Sequence, residues 1–401
     1  MNFALANTEQ AHPLPGLPAW AGPDLAIEIA GSLDAAEAAW RSLLRQNCFA
    51  TAYQDFDLCA LWFHHVGAPA GYEPFIVIGR DSAGQPAFVW PLVRRTVGGC
   101  KVASFFCGRH ANFGTTLWRS DVAAAITQRD LQAILGHMAQ NGTDALSLHN
   151  QPTHLQGIAN PLLLLPHQTA PDKSFTLTID GSGAEVIAKR YNSDTRRKLR
   201  RKERHLAALP GYRYRRVTTP AEVDRCISEF LKQKAARLAS RGISNAFDET
   251  GIEAFMRAAA RQGLAEGSPL IEIHVLQCDE EILALFAGIH DAHGFSTMFN
   301  SYTLSEHARM SPGLILLLKL IEDCAARGFK FLCLGVGTAE YKVQLCDIVE
   351  QPFDSFIGLT ARGQIFALTT RAMRAVKSTI KNNPQLWGLV NKGRAKLFAR
   401  G

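Results

Sequence analysis

The sequence predicts an α+β fold in two domains, each built on a mixed sheet. Three observations carry this expectation. The 401 residues exceed what a single hydrophobic core ordinarily holds. From residue 171 onward the hydrophobic periodicity reads strand, helix, strand, helix, helix, three strands in succession, then helix, strand, helix, strand. Between the halves, residues 152–171 hold four prolines and no clear period, which marks a boundary.

Residues 1–25 form a Pro-rich lead-in with Pro13, Pro15 and Pro18. Residues 33–46 read as a helix with Asp34 near its start, and 53–65 carry apolar residues at helical spacing. Residues 73–79 and 85–94 read as strands joined by a turn ending in Gly84, and 101–106 as another, followed by a loop from Cys107 to Gly114. Residues 121–141 form one helix ended by Gly142, and 144–149 a short strand. After the boundary come a strand at 175–179 and one long helix at 183–209, ended by Pro210 and Gly211. Strand 212–217 precedes Thr219 and Pro220, a cap and first-turn proline for a helix to about 240. A helix at 248–263 leads to strands 270–277, 282–290 and 295–303. The second of these is apolar on both faces, as in a central strand. An apolar helix at 312–327 stops at Gly328. Strand 329–334, a short helix at 339–346, a last strand at 353–359 and a helix at 364–381 complete the second half. The domains are 26–170 and 171–382, with a basic tail at 383–401.

Apolar residues make up 47% and charged residues 20%, which excludes a disordered, collagen-like or disulfide-scaffold chain. The net charge of +7 is concentrated: 189–204 carries +7 and 371–401 carries +8. Such segments suit phosphates, nucleic acid or anionic lipid. Nine cysteines include no CxxC pair and no Cys/His cluster at zinc spacing, so no metal site is expected. This usage suits a reducing compartment. With no signal-peptide pattern and no run approaching the roughly 20 apolar residues of a membrane span, a cytoplasmic location is expected.

In the basic segment, Ile187, Tyr191, Thr195, Leu199, Leu206 and Leu209 fall on one stripe, and Arg or Lys at 196, 197, 198, 200, 201, 202 and 204 cover the rest. A solvated cationic face over one buried stripe is the plain reading. Solvated helices, however, mix Glu with Lys to gain i,i+4 pairs. One sign of charge costs self-repulsion, which a phosphate-bearing ligand offsets; Arg197 and Arg201 are candidate contacts. Aromatics available for base stacking are confined to Tyr191, Tyr212 and Tyr214, so specific nucleic-acid reading is not expected.

Three stretches carry a family resemblance: Ser193-Asp-Thr-Arg-Arg-Lys-Leu-Arg-Arg-Lys202, then Tyr302 followed by Ser311-Pro-Gly-Leu314, then Leu334-Gly-Val-Gly337 followed by Tyr341-Lys342. In these the chain resembles the GNAT superfamily of acyl-CoA N-acyltransferases. In detail it is similar to the tandem-GNAT proteins of the cellulose-biosynthesis acetyltransferase type (CelD/BcsL), distant relatives of the FemAB aminoacyltransferases. The resemblance implies two tandem GNAT-like domains with mixed, mostly antiparallel sheets, the first domain degenerate. It implies direct transfer of an acyl group, acetyl in the first instance, from coenzyme A to an amine or hydroxyl of a small-molecule, glycan or cell-envelope precursor. Acyl-CoA is then a co-substrate and no cofactor is tightly bound.

That chemistry makes three demands. The donor's pyrophosphate needs backbone N–H groups and positive potential, which a helix start supplies. Ser311 as cap, Pro312 in the first turn and Gly313 for close backbone approach fit, with Arg309 and Leu314 on either side. The common GNAT loop Q/R-x-x-G-x-G/A is altered here, since Pro312 stands where its first glycine would. The reaction also needs a proton acceptor and a proton donor. Tyr341 is the candidate donor, with Glu340 beside it and Tyr302 and Asn300 on a preceding strand; Lys342 would hold an anionic group. The relatives carry acidic residues before Tyr-Lys, where this chain has Val336, Thr338 and Ala339. Finally the acceptor must be held, and the loop with Arg109, His110 and Asn112 offers polar groups for it. Two other readings stay open: a Fem-like enzyme drawing on aminoacyl-tRNA, and a non-catalytic GNAT-like protein binding an anionic partner or membrane surface through its two basic segments.

Overall fold

Seven strands form the sheet of the second half, in spatial order Arg213–Arg216, Glu272–Gln277, Ile282–His290, Gly294–Tyr302, Phe331–Val336, Ser174–Thr178 and Ile348–Glu350. The computed structural model describes residues 25–382 apart from 47, 156 and 241. The lead-in before residue 25 and the basic tail after residue 382 lie outside the described residues. All neighbours in this sheet are antiparallel except Gly294–Tyr302 and Phe331–Val336, which run parallel. A parallel pair needs a crossover. The helix Pro312–Ala326 supplies it, and burial of Ile315, Leu316, Leu317, Leu320, Ile321 and Cys324 accounts for its apolar sequence.

The first half repeats this plan. Its larger sheet runs Gln168–Thr169, Phe353–Gly358, Ala145–Gln151, Cys100–Phe105, Leu92–Val97, Glu73–Pro74, and its one parallel contact joins Val102 and Ala103 to Ala145 and Leu146. Helices Ser120–Ala125 and Gln128–Gln140 lie in that crossover. A second, five-stranded sheet contains Ala26–Ala30, Ile76–Arg80, Pro86–Trp90, Leu117–Arg119 and Cys48–Phe49. The chain is therefore α+β with mixed sheets in a tandem GNAT-like arrangement. One continuous core joins the halves, with Trp40, Tyr53 and Trp62 packed in the same cluster as Phe230, Phe255 and Ile273.

Several expectations are corrected. The strand expected at 85–94 breaks after Trp90, because Pro91 has no N–H for the ladder and the chain passes there from one sheet to the other. The helix expected at 121–141 is two helices, since Thr127 starts a new one with a capping box to Asp130. The helix expected at 183–209 is also two, Gly183–Arg190 and Ser193–Ala207, because Tyr191 is extended and the Asn192 side chain caps the second through Thr195 N–H. The short strand Ile348–Glu350 was not foreseen.

The largest correction concerns the ends of the halves. Phe353–Gly358, expected to close the second sheet, pairs instead with Ala145–Gln151 of the first. Helix Ala361–Asn382 follows it and packs against the same sheet. Ser174–Thr178, at the start of the second half, takes the matching place in the second sheet, beside Phe331–Val336. The two short flanking strands, Gln168–Thr169 and Ile348–Glu350, stay with their own halves.

Candidate functional site

Parallel pairing between Gly294–Tyr302 and Phe331–Val336 lasts three residue pairs, from Gly294 with Phe331 to Ser296 with Cys333, and then the strands part. Two local features part them. Met298 is an extra residue between the pairs Phe299–Ala287 and Thr297–Gly288, a bulge that bends its strand. On the other strand Gly335 has φ +74°, in the left-handed region.

Asn112 of the first half fills the apex of this gap. Its Nδ2 donates to Thr297 O (2.6 Å) and its Oδ1 accepts from Val336 N–H (3.1 Å). The side-chain amide thus stands in for the missing rung of the ladder. Tyr53, also from the first half, donates its hydroxyl to the same Thr297 carbonyl (2.9 Å) and accepts from Asn112 Nδ2 (2.8 Å). A Cβ on Gly335 would lie 2.4 Å from Asn112 Oδ1, so the glycine is required by contact as well as by φ.

Past this bridge a cavity of about 480 Å³ opens, walled by Asn300, Ser301 and Tyr302, by Ser311, Gly313, Leu314 and Leu317 at the start of the Pro312 helix, and by Glu340, Tyr341 and Gln344. In the first turn of the Pro312 helix, along the wall, Pro312 has no N–H and Leu314 N–H donates to Ser311 O (3.1 Å), so Gly313 supplies the first-turn donor. The expected cap is corrected: Ser311 is left-handed (φ 57°, ψ 49°), and its hydroxyl accepts from Lys202 Nζ (2.8 Å) instead of capping. The basic helix Ser193–Ala207 thereby places one ammonium at the helix start. A Cβ on Gly313 would meet Tyr302 at an ordinary 3.4 Å, so packing of the protein does not demand glycine there.

Tyr341 lies half-buried at the inner wall. Burial pushes its hydroxyl above the usual tyrosine range, while a hydrogen bond with Asn300 pulls it partly back. The group is therefore protonated through the neutral range and can donate. Glu340 is exposed at the rim and accepts from Gln344 Nε2 (3.2 Å). The Tyr302 ring lies under the Arg237 guanidinium, whose Nη2 donates to Tyr302 O (2.9 Å).

Seven of the sequence-derived candidates lie away from this cavity or are already engaged. Lys342 is buried, with Nζ 3.4 Å from Gly335 O and Val336 O, and burial lowers its pKa. It ties down the strand end behind the cavity. Arg109 pairs with Glu249, and His110 is buried with Nε2 3.1 Å from the same carboxylate while Trp62 Nε1 donates to its Nδ1 (3.2 Å). With Asn112, these side chains clasp the two halves together. Arg309 is mostly exposed and faces Glu306 (3.6 Å). Arg197 is exposed beside Asp194 (3.0 Å). Arg201 is exposed and is not among the lining residues. Reading the sequence did not single out Tyr53, Lys202, Leu317 or Gln344. Lys202 alone carried a signal, as a member of the cationic run.

Other cavities lie elsewhere. One of about 220 Å³ sits behind the apex, lined by Thr176, Ser296, Cys333 and by Glu350, whose carboxyl is raised by burial. One of about 610 Å³ lies between the halves near Arg45, Asp55 and His290. Glu272, His274 and Asp323 come within metal-ligating distance of one another. Arg327 already bonds Glu272 (2.6 Å) and Asp323 (3.2 Å), and His274 sits between Glu272 (2.6 Å) and the Tyr214 hydroxyl (2.8 Å). Guanidinium thus supplies the positive charge that a cation would bring. Among the described residues no helix is long and apolar enough to cross a membrane.

Residues 193–343 match the family model of the acetyltransferase (GNAT) domain. The matched region contains the parting strands, the Pro312 helix and Tyr341. No curated protein matches the chain. Among solved structures, a conserved protein of unknown function from Bacteroides thetaiotaomicron VPI-5482 aligns with a TM-score of 0.52 at 9% identity, over 83% of this chain and 100% of that one. FemX aligns with a TM-score of 0.51 at 9% identity, over 81% and 99%. The C-terminal domain of a putative lysylphosphatidylglycerol synthetase from Agrobacterium fabrum aligns with a TM-score of 0.50 at 11% identity, over 84% and 95%. At these identities the likeness is one of fold.

Proposed function

We propose that this protein is an acyltransferase that takes its acyl group from coenzyme A in the 480 Å³ cavity and passes it directly to an amine or hydroxyl. The observation that carries the reading is the convergence of three parts on one cavity: a gap between parallel strands, an open helix start, and a half-buried, protonated tyrosine. The Gly313 N–H, with the Ser311 hydroxyl and the Lys202 ammonium beside it, binds the donor's pyrophosphate. Leu314 and Leu317 line the pantetheine. The acceptor's lone pair attacks the thioester carbonyl, the C–S bond breaks, and the thiolate takes the Tyr341 proton. Asn300 orients that hydroxyl. The acceptor's proton leaves through water toward Glu340 at the rim, and solvent returns a proton to Tyr341.

The acyl group is acetyl in the first instance, and the acceptor belongs to a small-molecule, glycan or cell-envelope precursor; the resemblance to the cellulose-biosynthesis type supports both. The exposed cations of helix Ser193–Ala207 beside Ser311 favour a donor rich in phosphate, which keeps aminoacyl-tRNA as the second reading. The test is thiol release from a panel of acyl-CoAs with amine and hydroxyl acceptors, run beside aminoacyl-tRNA. Tyr341→Phe keeps the ring and should lower turnover by about 10²-fold. Its melting temperature should stay close to that of the wild type. Wild-type turnover in the variant, or transfer from aminoacyl-tRNA alone, overturns the reading.

A further inference from the structure

The 220 Å³ cavity behind the apex has no part in the proposed transfer. Asn112, bonded to Thr297 O and Val336 N–H, stands along the strands between this cavity, lined by Ser296 and Cys333, and the larger one, lined by Asn300. Among the described residues none lines both. The second-half wall follows from strand alternation. Thr176 is opposite Cys333 on one neighbouring strand and Ile348 on the other, so these side chains share a face. Glu350, two residues after Ile348, points the same way, while Val349 between them points out and is 49% exposed. Phe331, two residues before Cys333, extends this wall, and Phe113 faces it from the first half.

The charge of the cavity is one-sided. The described residues that line it include two carboxylates and no Lys or Arg. Asp291 is engaged: its Oδ1 accepts from the N–H groups of His293 (2.7 Å) and Gly294 (2.9 Å) in the turn between two strands. Glu350 is not. It is half-buried, and among the described residues its carboxyl has neither a hydrogen bond nor an ion pair. Burial raises its pKa, opposed by the charge of His154, an exposed side chain that also lines the cavity. A carboxylate drawn part-way out of water without a partner is costly, and a bound cation offsets that cost. The rings of Phe113 and Phe331 suit the apolar body of such a ligand and the flank of an ammonium. A cavity of about 150 Å³ already accepts a benzene ring. This one therefore has room for a ring with a short aminoalkyl arm, but not for coenzyme A.

We propose that this cavity binds a small primary amine, its ammonium paired with the Glu350 carboxylate and its apolar body lying against Phe113 and Phe331. The amine is a second ligand, set apart from Tyr341 by the Asn112 bridge. The site does not depend on which donor the larger cavity binds, or on whether transfer occurs there.

The experiment is calorimetric titration of the full chain with benzylamine, beside benzyl alcohol as its uncharged analogue. Saturable binding of benzylamine is expected, at least about tenfold tighter than that of the alcohol. Glu350→Gln keeps the size of the side chain and removes its charge. It should weaken benzylamine at least about tenfold, leaving the alcohol's affinity unchanged. Glu340→Gln removes the carboxylate at the rim of the larger cavity and should leave benzylamine affinity unaltered. If Glu350→Gln does not fold, Glu350→Asp takes its place, since it draws the carboxylate back by one methylene and should also weaken the amine. Absence of saturable binding overturns the proposal, as does equal affinity for amine and alcohol. Unaltered affinity in the Glu350 variant rejects it too. Loss of binding in Glu340→Gln would move the amine to the larger cavity and equally reject it.

Discussion

Replacing Asn112 by Leu keeps the side-chain size and removes every polar contact that this side chain makes in the apex of the gap. Three hydrogen bonds go: to Thr297 O, to the Tyr53 hydroxyl, and from Val336 N–H. Thr297 O keeps its bond from Tyr53, but Val336 N–H loses its partner. At about 0.5–1.5 kcal/mol for each bond, with the upper end applying to the orphaned N–H, the loss is about 3 kcal/mol. Unfolding entropy scales with chain length, so for a protein of this size that is a drop of about 4 °C in melting temperature. Asn112→Asp sharpens the test. It retains the acceptor for Val336 N–H but turns a second oxygen toward the Thr297 carbonyl, and a carboxylate there repels it. Protonation restores a donor, so this variant's deficit relative to wild type should shrink as the pH is lowered toward 4. Differential scanning fluorimetry from pH 4 to 8 reads both effects. An Asn112→Leu protein that melts with the wild type, or an Asn112→Asp deficit that stays flat across that range, would show that the amide does not bridge the strands.

Gly313→Val should fill the cavity at the helix start and weaken acyl-CoA binding about tenfold or more by calorimetry, with an unchanged melting temperature because its Cβ meets only the Tyr302 ring; undiminished affinity would move the donor elsewhere. Lys342→Met should leave the apparent Michaelis constant for donor unchanged and shift the melting temperature, since the ammonium faces backbone carbonyls behind the cavity; a raised constant at constant melting temperature would return Lys342 to ligand binding. Burial alone would raise the Glu272 carboxyl, but the bonds from His274 and Arg327 bring it to about 2. A depressed carboxyl contributes stability that is complete above its unfolded value near 4.5 and is lost as pH falls toward 2. Glu272→Gln should therefore cost roughly 2–4 kcal/mol at pH 7 and flatten the pH dependence of urea unfolding between those values; parallel profiles would show that this carboxylate is not what acid attacks.

The second half was readable in order because its elements announce themselves locally. Thr219 and Pro220 start a helix, Gly328 follows the end of another, and a strand apolar on both faces has to be central. Tyr341, Gly313 and Asn300 meet at one cavity because each follows from that element order. What failed depended on partners distant in sequence. Asn112 looked like a ligand-binding loop residue because nothing near it shows that its amide is consumed by Thr297 and Val336, 185 and 224 positions away. Lys342 adjoins Tyr341, yet consecutive residues on a helix point in different directions, and this one points inward. The breaks at Asn192 and Thr127 were hidden because apolar spacing carries across a two-residue break, and only the capping bonds reveal them.

The passage of Phe353–Gly358 into the first-half sheet has a consequence for how the chain is made. Gln151 and Phe353 are neighbours in the first-half sheet but are separated by about 200 residues of synthesis. At ribosomal speeds of about 5–20 residues per second, the strand Ala145–Gln151 waits some 10–40 s for its partner with one edge unsatisfied. That edge is the kind of surface on which nascent chains stick to one another. Ser174–Thr178 leaves the ribosome well before Phe331–Val336, the strand it joins, and also waits. The second-half sheet has all its strands once residue 350 has emerged, whereas the first-half sheet waits for residue 358. Cutting the gene at residue 170 would therefore leave the N-terminal fragment short of one interior strand, Phe353–Gly358, which the C-terminal fragment would carry without its partners. Expressed together, the two should reassemble; expressed alone, the N-terminal fragment should aggregate.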